Sequence, residues 1–93
     1  MNQREVGAMQ KEYIERMVKN LPILRMSAGL TQAQLGKKVG MSRQSIVAIE
    51  NRKRPLPWSL YLAMVLVFMQ NDDSKKLMES FNLYDEEFLC RIL

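Results

Sequence analysis

Residues 30–50 read LTQAQLGKKVGMSRQSIVAIE, two short amphipathic runs with only a Gly-Met step between them. Few features confine a chain so tightly. Thr31 and Ser42 are good N-cap residues, so a helix is expected to begin just after each. Gly40 ends the first helix and supplies the left-handed backbone that a turn of three or four residues needs. So short a turn holds the second helix at a fixed, steep angle to the first. Gly36 is the small residue expected where the two helices cross most closely.

Placed on a wheel at about 100° per residue, Ile46 and Ile49 fall on one side of the second helix, with Glu50 beside them. Leu35 and Val39 of the first helix, one turn apart, point to the same interior, and Met41 in the turn can join them. Gln44, Val47, Ala48 and Asn51 fall on the far side, which is left protruding. Arg43 and Gln44 belong to the side-chain types that form two parallel hydrogen bonds with base edges, Arg with guanine and Gln with adenine. Val47 and Ala48 are suited to a thymine methyl. Around them lie groups suited to phosphates: Gln32 at the start of the first helix, Ser42 at the cap of the second, and Asn51, Arg52, Lys53 and Arg54 beyond it. This constellation is a helix-turn-helix with its recognition helix at 42–51.

The charge distribution points the same way. The net charge is only +4, but residues 25–54 carry seven basic side chains and a single acidic one. Residues 55–71 carry no charge, and residues 72–93 carry three basic and six acidic. A basic segment in a nearly neutral chain fits a polyanionic partner. Lys37 and Lys38 are expected to serve solubility. With no histidine and one cysteine, Cys90, neither a disulfide framework nor a zinc cluster is expected. Catalytic residues, metal ligands and cofactors are therefore expected to be absent, and the chain is read as a non-enzyme.

Elsewhere the chain reads as helix. Val6, Met9, Tyr13 and Met17 recur at helical spacing, which predicts a helix over 4–18. Asn20 is expected to cap a separate helix over 21–28, with Pro22 in its first turn and Gly29 at its end. The loop RKRPLP follows the recognition helix. Residues 58–69, WSLYLAMVLVFM, are apolar on nearly every side, the mark of a buried central helix with surface left over for a partner. That helix is shorter than the roughly 20 residues a membrane span needs. Asp72 or Asp73 is expected to cap a helix through Phe81, and Asp85 another that ends at Leu93. No repeat and no strand of any strength is found. The expected fold is all-α, a compact bundle of about five to seven helices in one domain over 1–93. Its core motif spans 24–68, with the helix at 4–18 and the helices within 72–93 as additions.

The segment LRMSAGLTQAQLGKKVGMSRQSIVAIENRKR, followed by the apolar helix, resembles the Cro/Xre-type, phage-repressor-like helix-turn-helix regulators over residues 24–68. The resemblance implies a bundle of about five helices that binds DNA, usually as a dimer. Position by position it implies base reading by Arg43, Gln44, Val47 and Ala48, and phosphate contacts by Gln32 and Asn51. It also implies a buried ion pair between Arg25 and Glu50. Two positions depart from the family pattern. Gly36 stands where Ala is more usual, at an expected cost to the helix of up to about 1 kcal/mol. Arg52 stands where the family often has Gly, so a different exit from the recognition helix is expected.

The function expected from the sequence is a repressor-like regulator, cytoplasmic, that binds double-stranded DNA as a homodimer on a palindromic operator. One alternative is the antitoxin of a toxin–antitoxin pair, with the outlying helices clasping a toxin partner. Another, of a different class, is a protein-interaction adaptor that keeps the fold without binding DNA.

Overall fold

The computed structural model describes residues 2–84 together with Glu87 and Cys90. Its elements are α1 (Gln3–Ser27), α2 (Gln32–Val39), α3 (Arg43–Glu50), α4 (Trp58–Met69) and α5 (Asp72–Ser80). The described residues contain helices and no strand. The helix expected to follow Asp85 lies outside them.

The first helix corrects the expectation of two. Asn2 and Glu5 form a reciprocal capping box, and α1 then runs unbroken for 25 residues. Asn20 caps nothing, since its Nδ2 donates to the Arg16 carbonyl at 2.8 Å, one turn back within the same helix. Pro22 lies inside the helix rather than in a first turn. It has no N–H to offer the Val18 carbonyl, which favours a break. Burial overrides that preference: Met17, Val18, Leu21 and Leu24 form one continuous buried stripe across the proline. Two separate helices could not keep that stripe in phase against the core.

Helix α1 is the spine, in contact with α3, α4 and α5. Its end is closed at Gly29 (φ 72°), where Gly29 donates to the Met26 carbonyl and Leu30 to the Arg25 carbonyl, each at 3.0 Å. Helix α4 fills the centre with Leu60, Tyr61, Met64, Val65 and Phe68 buried. An aromatic cluster joins it to α1: Trp58 and Tyr61 stack at 4.8 Å, and Tyr13 leans on Tyr61 at 6.1 Å. The Tyr61 hydroxyl donates to the Leu83 carbonyl at 2.7 Å, which ties down the chain leaving α5. Burial, with a smaller contribution from Tyr13, pushes that hydroxyl well above the usual tyrosine pKa.

The cap of α5 is Asn71, not Asp72 or Asp73. Its Oδ1 accepts from the N–H groups of Asp73 at 2.9 Å and Ser74 at 3.1 Å. The two aspartates fall in the first turn, where negative charge favours the helix dipole. Ser74 is fully buried and donates to the Phe68 carbonyl at 2.6 Å, which fastens α5 to the end of α4. No helix among the described residues is long and apolar enough to cross a membrane.

Candidate nucleic-acid interface

Helix α2 starts on a capping box in which the Thr31 hydroxyl accepts from the Gln34 N–H at 3.1 Å and Gln34 Oε1 accepts from the Thr31 N–H at 2.9 Å. It stops at Gly40, whose φ of 75° reverses the backbone. Met41 donates to the Gly36 carbonyl at 2.8 Å and closes the turn. Three residues later α3 begins, capped by Ser42, whose Oγ accepts from the Ser45 N–H at 3.1 Å.

Gly36 is where the turn folds back. A Cβ at that position would stand 2.5 Å from the Met41 carbonyl oxygen and 3.3 Å from that of Ser42. A methyl there would have to push backbone aside. The glycine thus avoids a backbone clash, as expected of the residue where the two helices cross most closely, at its cost in helix propensity.

The inward side of α3 is anchored by Ile46 and Ile49, both fully buried, and by a charged clamp. Arg25 Nε meets Glu50 Oε2 at 2.9 Å and Arg25 Nη2 meets Glu50 Oε1 at 3.3 Å. The side chains are 14% and 6% exposed, so both ends of the pair are largely withdrawn from water. Arg25 Nη1 also donates to the Leu30 carbonyl at 3.1 Å. Gln32 Nε2 donates to Glu50 Oε1 at 3.4 Å. The end of α1, the start of α2 and the end of α3 are therefore joined through one carboxylate. The Gln32 amide faces that carboxylate at the edge of the motif.

On the outward side Arg43 and Gln44 are exposed. Val47 and Ala48 are half-buried rather than fully protruding. Asn51 is the C-cap, and the helix closes with Arg52 donating to the Ile49 carbonyl at 3.1 Å and Lys53 to the Ala48 carbonyl at 2.8 Å. That closure needs a left-handed residue, and Arg52 supplies it at φ 60°. The position is one that glycine fills without strain, so the exit keeps the usual geometry with an unusual residue.

The basic exit segment divides. Arg52 turns away from α3 and pairs with Glu15 of α1 at 2.7 Å. Arg54 folds back along the recognition helix, its Nη1 donating to Ser45 Oγ at 2.6 Å. Ser42 Oγ donates to the same Ser45 oxygen at 3.0 Å. Lys53 is exposed. Two participants escaped the sequence reading. Ser45 carried a faint signal, since it stands one turn after the Ser42 cap. Glu15 carried none, because only the packing of α1 brings it to a loop 37 residues further on. Among the described residues no group of acidic, Cys or His side chains gathers to hold a metal ion.

A short glycine turn, a second helix braced from behind and a polar outward face define a helix-turn-helix, the class of domain that binds DNA in regulators. A family model described as a helix-turn-helix domain matches residues 16–73, more than half of the chain, and the chain belongs to that family. Domains of this family are DNA-binding and typically non-enzymatic. No curated protein and no solved structure gives a match.

Proposed function

We propose that this chain is a sequence-specific transcriptional regulator of the Cro/Xre type, acting as a repressor. In this reading α3 enters the major groove. Arg43 and Gln44 lead, Val47 and Ala48 make apolar contact behind them, and Ser42, Asn51, Lys53 and Arg54 hold the phosphates beside the groove. The observation that carries the reading is the division of α3. Its inner side is fixed by Ile46, Ile49 and the Arg25–Glu50 pair. Its outer side presents Arg43 and Gln44 to solvent. A helix braced so firmly behind and so polar in front is suited to present a fixed pattern of donors and acceptors to base edges.

The repressor reading is that of a homodimer on a palindromic operator. Support comes from apolar side chains left on the surface of a small bundle, Leu66 at 65% and Met26 at 69% exposure among them. No enzymatic activity, no cofactor and no toxin partner is assigned. Selection of binding sites from a random duplex pool tests the whole reading. Recovery of a palindrome with half-sites about one helical turn apart is the expected result. A single asymmetric site removes the dimer, and no enrichment at all removes the DNA reading.

A further inference from the structure

The face of α1 opposite the aromatic cluster forms one wall of an open groove of about 660 Å³, and the exit segment of α3 forms the other. Its floor is apolar, made by Ile14 and Val18 of α1 with Leu56 beneath the loop. Its rim is basic: Lys11 on the helix side, Arg52, Lys53 and Arg54 on the loop side. The one carboxylate among these residues is Glu15, already held by Arg52.

From this pattern we propose that the groove is a docking site for an acidic, amphipathic peptide segment of a partner protein. The apolar floor and the basic rim argue it together. A phosphate backbone could satisfy the four cations, but it offers little apolar surface to set on Ile14, Val18 and Leu56. A neutral apolar segment would cover the floor and leave Lys11 and Lys53 without a counter-charge. A segment with aromatic or aliphatic residues on one side and carboxylates along its edges satisfies both. The Glu15–Arg52 pair marks where such a carboxylate would bind. Its side chains are 63% and 52% exposed, so the pair is screened by water and readily exchanged.

Docking there has a regulatory consequence that rests on the DNA reading above. Lys53 and Arg54 belong both to the groove and to the flank of α3. Carboxylates that engage them from the groove withdraw them from phosphates, so the peptide and DNA oppose each other's binding by the same factor.

A random twelve-residue peptide display library panned against the intact chain tests this. The expected outcome is enrichment of peptides in which two or more carboxylates flank aromatic or aliphatic residues. Synthetic copies should lose at least tenfold in affinity on Lys11→Glu, and likewise on Ile14→Ser, and should displace bulk duplex DNA from the wild-type chain. Circular dichroism of both variants should match wild type. Lys11→Glu should bind duplex DNA as wild type does. Absence of enrichment, enrichment of peptides without carboxylates, or equal binding to both variants overturns the inference. So does a Lys11→Glu variant that loses duplex DNA as strongly as Lys53→Ala does, which would make the groove part of the DNA surface. If peptides dock as described and wild type binds no DNA, the inference stands and the proposed function falls.

Discussion

Glu50 is the single acidic residue between positions 25 and 54, and it is 6% exposed. An acid so placed holds Arg25, and through Gln32 the start of α2. Removing one partner of a buried pair leaves the other charge uncompensated, typically at about 3–5 kcal/mol. Glu50→Ala should therefore melt far below wild type in thermal denaturation, while Lys38→Ala on the exposed side of α2 should melt near it. Matching melting temperatures would remove the structural role assigned to the pair. Arg52 is a residue of the opposite kind, held at φ 60° where a side chain is strained. Relief of that strain at about 1–2 kcal/mol outweighs the loss of an exposed ion pair worth at most about 1 kcal/mol. Urea denaturation of Arg52→Gly should show a small gain in stability, and a loss would refute the assignment of strain. Gln44 and Lys53 separate reading from holding. Gln44→Ala should weaken the selected operator by roughly 1–3 kcal/mol and relax preference at one base pair. Lys53→Ala should weaken operator and random DNA alike and lower the salt slope by about one unit. A Gln44→Ala variant with unchanged preference at every base pair would show that α3 is not the reading helix.

At the scale of elements, α1 shows burial overruling local preference. Pro22 interrupts the hydrogen-bond ladder, and a proline inside a helix costs about 3 kcal/mol against alanine. Pro22→Ala should restore a donor to the Val18 carbonyl and raise stability, by about 1–3 kcal/mol once lost packing of the half-buried ring is allowed for. Chemical denaturation would measure it, and a destabilised variant would show that the ring's packing outweighs its missing N–H. In α2 and α3 the local signals agree with the tertiary structure. Thr31, Gly40 and Ser42 are a cap, a reversal and a cap in the sequence and in the fold. The turn was legible because each of its residues acts on its own neighbours.

At the scale of the whole molecule, the described Cα atoms extend 36 × 29 × 20 Å. The proposed homodimer requires its two α3 helices to lie at the spacing of successive major-groove turns, roughly 34–36 Å. Sedimentation at micromolar concentration should accordingly give about twice the mass of one chain. A monomer both free and on DNA would exclude the dimer.

The sequence by itself determined the all-helical class, the helix-turn-helix and the face of α3 that carries Arg43 and Gln44. Those follow from caps, glycines and a 3.6-residue period, which are forces between residues a few positions apart. The tertiary structure alone decided that α1 is one helix through Pro22, because the benefit of continuity lies in Leu21 and Leu24 meeting the other helices. It decided also which atom crowds Gly36, the Met41 carbonyl oxygen, where the sequence placed only a close crossing of the two helices. The division of the basic exit was settled in the same way, with Arg52 sent to Glu15 and Arg54 to Ser45. The packing of α1 across Pro22 and the Arg52–Glu15 pair join positions that no local pattern links, since their energy exists only once the helices have packed.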